Sequence, residues 1–159
     1  MAVCSALATP IVNVTGSNSV PVLGVYTYSY EVANQSTTET VWRFWIQLGQ
    51  GVTINSVSDV DGWTTFTDWA LFVEWSSDDP SYDILPGNSL SGFSYDSTGI
   101  PGTVVYEAAG YDPELGPTEP YASGFTVGAT PIPEPGTFLL LVSGLAGFLA
   151  YARFRRRMN

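Results

Sequence analysis

Histidine and lysine are absent from the 159 residues, and the one cysteine, Cys4, lies near the N-terminus. A Ser-His-Asp triad, a Cys-His dyad, a Schiff-base lysine, a Walker-A lysine and a Cys/His zinc site each need residues that are missing here. Active chemistry is left with carboxylates, hydroxyls, Trp, Tyr and backbone. Positive charge is also scarce, with five arginines against fifteen acids, a net charge of −10 and a pI near 4.1. Nucleic acid is therefore not an expected partner, because phosphate binding rests on Lys and Arg. The length suits one domain with a short appendage.

The few cations are placed unevenly. Arg153, Arg155, Arg156 and Arg157 lie in the last seven positions, and only Arg43 precedes them. Fourteen of the fifteen acids come before Pro133, so residues 1–133 carry a net charge of −13, fourteen negative against one positive. Between these regions Gly136 to Ala152 runs seventeen residues without a charge. As a helix this run spans roughly 25 Å, the short end of what a bilayer core requires. Phe154 and snorkelling arginines extend it by about a turn. A buried helix of a soluble domain would show a polar face, and here only Thr137, Ser143 and Tyr151 are polar. The expectation is a transmembrane helix over 136–154 with a basic cytoplasmic tail at 155–159. The positive-inside rule then puts the acidic domain outside.

Such an orientation needs an export signal. Residues 1–8 lack a basic n-region and are too short for an apolar segment, yet Ala6-Leu7-Ala8 fits the small-x-small cleavage pattern. They read as the remnant of a truncated signal peptide. If they are cleaved, Cys4 leaves with them and the mature chain has no disulfide. The alternative is an untruncated chain anchored by its tail alone, with its acidic domain in the cytoplasm.

Residues 9–130 read as an all-β ectodomain. Tyr26, Tyr28, Tyr30 and Val32 alternate with polar residues, as do Trp42, Phe44, Ile46 and Leu48, and Trp69, Leu71, Val73 and Trp75 form a third such face. Further strands are expected near 11–15, 51–58, 89–95, 103–109 and 123–128, about eight in all. An antiparallel β-sandwich, Ig-like or jelly-roll-like, buries such faces. Strands 22–33 and 40–48 are expected to pair as a hairpin, with Glu31 opposite Arg43, Val32 opposite Trp42 and Tyr30 opposite Phe44. The segment Asp112 to Pro117 is too poor in apolar residues to pack and reads as a mobile loop.

Several ectodomain residues are candidates for chemistry. Asp59-Val60-Asp61-Gly62 has the start of an oxygen-ligand loop but not its later ligands, and reads as a solvated turn. Asp78, Asp79 and Asp83 form a candidate calcium cluster, the only cofactor considered. Glu74 and Glu107 are acids in otherwise apolar strands, so they are the pair a glycoside hydrolase would use. Trp45 is out of phase with the core set, and Trp63 adjoins the Asp59 to Gly62 turn. Either indole is a candidate carbohydrate contact.

The C-terminal segment has a three-part order. Pro133-Glu134-Pro135 is followed by an apolar stretch containing Ser143-Gly144-Leu145-Ala146-Gly147 and then by Arg153 to Arg157. This resembles the PEP-CTERM sorting signal of Gram-negative bacteria, over about 27 residues. The resemblance implies recognition by exosortase, a membrane-embedded processing enzyme, with Pro133, Glu134 and Pro135 as the motif within a 131–135 linker. It also implies removal of the tail and export to the surface or to an exopolysaccharide matrix, with no catalytic residue in this chain. The missing signal peptide departs from the family pattern. Independently, prolines on both sides of one acid keep the segment extended, a form that a processing enzyme can grip. The stretch Ile84 to Tyr95, a Pro-Gly turn and then an alternating strand, is similar to ectodomains carried on such tails.

Three functions follow as expectations. The first is a non-enzymatic surface or matrix protein, made as a single-pass inner-membrane precursor. The second is a carbohydrate-binding module using exposed Trp. The third is an acidic glycoside hydrolase.

Overall fold

A computed structural model describes residues 11–68, 71–111, 121–132 and Phe148. The strands are β1 (Val12–Asn18), β2 (Tyr26–Asn34), β3 (Thr40–Gln47), β4 (Ile54–Val57), β5 (Trp63–Thr67), β6 (Phe72–Ser77), β7 (Ser89–Ser97), β8 (Ile100–Tyr111) and β9 (Tyr121–Thr130). A short 3-10 helix, Pro80–Tyr82, precedes β7. Alternating sequences make these strands, and their apolar faces close on one another. One antiparallel sheet has the order β1-β2-β7-β4 and the other β5-β6-β3-β8-β9. The result is all-β and sandwich-like, with nine strands among the described residues. The additional one is β5, a short Thr-rich run after the Asp59 to Gly62 turn that is not among the strands expected from the sequence. Among the described residues no helix is long and apolar enough to cross a membrane. The assignments for residues 1–8, the Asp112–Pro117 loop, Trp69, the 136–154 helix apart from Phe148, and the 155–159 tail lie outside the described residues.

The core divides into two kinds of aromatic packing. Phe44 stacks on Trp75 at 5.0 Å and meets Phe93 edge-on at 4.7 Å, and Trp63 meets Phe93 at 5.2 Å. Beside this apolar group, tyrosines bind backbone across the sandwich. Tyr28 Oη donates to Gly99 O at 2.7 Å, Tyr30 Oη to Val127 O at 2.9 Å and Tyr106 Oη to Val12 O at 2.8 Å, while Tyr95 Oη accepts from Ala129 N. Each hydroxyl is thus satisfied within the core, as burial requires.

The expected hairpin of β2 with β3 is not formed. β2 pairs with β1 and β7, and β3 pairs with β6 and β8, so the two strands belong to opposite sheets. Apolar faces of this kind are buried equally well face to face across a core as side by side in one sheet. The link 35–39 makes the change of sheet, and buried Asn34 holds it. Its Nδ2 donates to Glu39 O and Ile84 O, both at 2.8 Å, and its Oδ1 accepts from Ser36 N. A hairpin turn would not need a buried amide that satisfies three backbone groups.

The expected inward row of β3 is also corrected at its start. The register with β8 shifts between Val41 and Arg43. This bulge turns Val41 into the core and leaves Trp42 half-buried outside it, while Phe44, Ile46 and Leu48 remain inside. In the expected third face, Val73 and Trp75 are buried but Leu71 is exposed. A second irregularity, in β7, passes Gly92 between Tyr30↔Phe93 and Glu31↔Ser91, and Gly92 takes φ +106° there.

Strand directions define two ends of the sandwich. One carries the 19–25 turn, the 48–53 link, the 98–99 turn and the exit of β9 at Pro131 and Ile132, as the pairings Tyr26↔Ser97, Ile54↔Ser97 and Ile100↔Thr130 require. Pro131 packs on Gly49 so closely that a Cβ there would meet its Cδ at 2.4 Å. The opposite end carries the 35–39 link, the 3-10 helix and the 85–88 turn.

Candidate functional site

The outer face of the five-stranded sheet gathers the chemistry-bearing side chains. Period-two alternation turns Phe44 and Ile46 of β3 inward, which sends Arg43, Trp45 and Gln47 outward. The same rule turns out Phe72, Glu74 and Ser76 of β6, Val105 and Glu107 of β8, Phe66 of β5, and Ser123 and Phe125 of β9. The ladder aligns one row across all five strands: Phe66, Glu74, Trp45, Glu107 and Ser123.

Trp45 thus lies between the two acids. Arg43, the one cation among the described residues, has its guanidinium carbon 4.8 Å from the Trp45 ring centre and 5.5 Å from that of Trp42. Its Nε is 3.6 Å from Glu74 Oε2, an ion pair longer than a hydrogen bond. Gln47 Nε2 donates to Glu107 Oε1 at 3.2 Å. Phe66 and Phe72 lie 5.8 Å apart at one flank, and Phe125 is exposed at the other. The face holds a half-buried indole that already carries the Arg43 guanidinium over its ring and is bordered by donors and acceptors.

Glu74 and Glu107, expected as a hydrolase pair, share this face without facing each other across a cleft. Trp45 stands between them in the ladder, and each carboxylate already has a partner. Trp63, expected as an alternative sugar contact, is corrected: it is 4% exposed, packed against Phe44 and Phe93, and its Nε1 donates to Tyr82 O. The turn beside it is tight, with Gly62 at φ +72° and the Tyr82 ring where a Cβ would stand.

The calcium cluster is corrected as well. Asp78 accepts from Thr64 Oγ1, and Asp79 caps the 3-10 helix through Ser81 N. That backbone hydrogen bond holds the Asp79 carboxyl below its usual range. Asp83 is buried, accepting from Ser77 Oγ and from Tyr111 Oη at 2.8 Å. Burial and, after it, the bond to Asp83 push the Tyr111 hydroxyl up. Asp79 and Asp83 cap the two ends of one 3-10 helix while Asp78 binds β5, and among the described residues no group of three or more His, Cys, Asp or Glu gathers as a metal site. Asp59 and Asp61 are exposed beside the Val60–Trp63 turn.

Sequence reasoning placed Trp45, Glu74 and Glu107 in strands but missed the flanking Phe66, Phe72 and Phe125. Alternation within Trp63–Thr67 was the available signal, since a buried Trp63 puts Phe66 on the outer face.

Pro133, Glu134, Pro135 and Arg153, Arg155, Arg156 and Arg157 lie outside the described residues. Residues 131–157 match a family model described as the PEP-CTERM protein-sorting motif. The match starts one residue after β9 ends at Thr130, so motif and sandwich abut. No curated protein matches the chain. The chain carries a sorting motif of exported proteins that exosortase processes at the membrane for the cell surface.

Proposed function

We propose that this PEP-CTERM chain is a non-enzymatic surface or extracellular-matrix protein, associated with exopolysaccharide, whose sandwich is the cargo that its tail delivers. The precursor is held in the inner membrane by a single helix over 136–154, with the sandwich outside and Arg153 to Arg157 inside. The observation that carries this reading is the abutment of the sorting motif at residue 131 with the last strand at Thr130, which leaves no room for another domain between cargo and signal. In a host with exosortase, Glu134→Ala is expected to leave the protein full length in the membrane, while the parent loses everything from about Pro133 onward. Mass spectrometry of the surface form reads the difference. An intact tail on the mature parent would reduce the segment to an anchor.

A second reading, carbohydrate binding, is favoured by the row that sets Trp45 between Glu74 and Glu107 with Gln47 beside it. An indole stacks on the apolar face of a sugar ring, and flanking carboxylates and amide accept and donate at its hydroxyls. The parent is expected to bind polysaccharide on a glycan array, and Trp45→Ala is expected to abolish that binding without unfolding the sandwich. An array with no retained glycan would end this reading and leave the first intact.

A further inference from the structure

The exit end of the sandwich differs from the other end in charge and in how its exposed apolar residues are grouped, since Ile11, Tyr82 and Leu85 are exposed at the other end among acids. Its most prominent feature is the turn between β1 and β2, Ser19-Val20-Pro21-Val22-Leu23-Gly24-Val25. Val20 is 85% exposed, Val22 74% and Leu23 100%. Val22 and Val25 bridge each other, so Leu23 and Gly24 form the tip, at φ +53° and +81°. Leucine rarely takes a left-handed backbone, and here that backbone holds its side chain fully in solvent. Exposed Leu71 and Ile132 lie at the same end.

Charge is sparse at this end. The first charged residue of the chain is Glu31, so β1 and the whole apolar turn are neutral. Of the described acids, only Asp68 and Asp96 lie near the exit, and Asp96 is bound by Thr27 and Ser56 hydroxyls. Glu39, Asp59, Asp61, Asp78, Asp79 and Asp83 lie toward the opposite end. Exposed apolar side chains grouped on an uncharged turn mark an interaction surface.

The path of the chain indicates the partner. Ile132 leaves from this end, and only Pro133, Glu134 and Pro135 separate it from the apolar run that starts at Gly136. Three extended residues reach about 10 Å, so this end stays near wherever that run resides. We infer that the Val20–Leu23 turn dips into the lipid interface of the bilayer that anchors the precursor, setting the sandwich upright with its acidic end outward. The inference rests on the reading of 136–154 as membrane-spanning. Zwitterionic lipid is the fitting surface, because an ectodomain with net charge −13 (residues 1–133) is repelled by anionic headgroups.

The test uses the full chain in phosphatidylcholine vesicles, in a Cys4→Ser background that leaves one introduced thiol for an environment-sensitive dye. Labels at Leu23→Cys and Val22→Cys are expected to be quenched by lipids brominated near the headgroup at least about twofold more than a label at Asp79→Cys. Flotation with vesicles reports the anchor separately. A chain that floats with the turn labels unquenched would overturn the inference and keep the anchor, and equal quenching at position 79 would overturn the upright orientation. A chain that does not float would remove both. Shielding of position 23 from a membrane-impermeant thiol reagent only when exosortase is added would assign the turn to protein and overturn the lipid assignment.

Discussion

Strands β2 and β3 each turn an aromatic row into one core from opposite sheets, and the chemistry at the ring ends separates them. Tyr28 and Tyr30 of β2 lie where carbonyls outside their own sheet come within reach, at Gly99 and Val127, and their hydroxyls bind there. Phe44 of β3 lies where its neighbours are Trp75, Phe93 and Trp63, with no polar group to meet, and a hydroxyl there would be buried without a partner. The tyrosine side of the core therefore adds directional bonds across the sandwich to its stacking, whereas the ring of Phe44 is held by area and stacking alone. The comparison shows how one sandwich uses two kinds of aromatic residue according to which backbone groups they reach.

The largest expected effect tests the stacked half. Phe44→Ala removes a fully buried ring from contact with three aromatic side chains and is expected to cost about 3–5 kcal/mol. Against a total stability on the order of 5–15 kcal/mol, urea unfolding should move by a large fraction of its midpoint. A loss below about 1 kcal/mol would mean that this half does not carry the packing assigned to it.

Alkaline pH tests the bonded half. Burial, first among the causes, pushes the Tyr30 hydroxyl well above its ordinary value and also raises Tyr95. A raised folded value means that the folded state keeps the proton longer than the unfolded chain does. The tyrosine contribution is thus fully present below about pH 10, and stability falls as pH rises from there through the folded values, by up to about 1.4 kcal/mol per pH unit per proton. Urea midpoints between pH 8 and 11.5 should be flat at first and then decline. A flat profile throughout would contradict the buried-tyrosine account.

Tyr30→Phe sharpens both points. It leaves Val127 O without its donor, at an expected cost of about 1–2 kcal/mol at neutral pH, and it should shallow the alkaline decline by one proton. The smallest effect is expected outside the core. Arg43→Ala removes a half-buried ion pair with Glu74, longer than a hydrogen bond, and the cation over Trp42 and Trp45, and should cost about 1 kcal/mol. Tryptophan fluorescence should shift while the urea midpoint moves least.

Much of β2 was legible because its alternation is unbroken. Tyr28, Tyr30 and Val32 are buried as their spacing predicts. β3 was legible from Phe44 onward, but its bulge was not, because the extra residue at Trp42 is absorbed by pairing with β8, a strand more than fifty residues away. The outward phase of Trp45 followed from local alternation. Its place between Glu74 and Glu107 did not, since that row depends on the registers of β6 and β8. Trp63 was ambiguous for the same reason: a lone indole after a turn is buried or exposed according to what packs over it, and here that is Phe44 and Phe93.

By itself the sequence determined the all-β class, the acidic surface, the classes of chemistry excluded by missing His and Lys, and the sorting motif at the C-terminus. Each of these is a property of composition or of neighbouring residues, readable without knowing what lies far along the chain. Only the tertiary structure decided that β2 and β3 belong to opposite sheets, that the calcium candidates are bound to hydroxyl and backbone donors, and that the apolar β1–β2 turn shares one end with the exit to the tail. Those outcomes rest on long-range pairing, in which a strand with one apolar face accepts several partners of similar energy, and the choice falls to packing across the whole core.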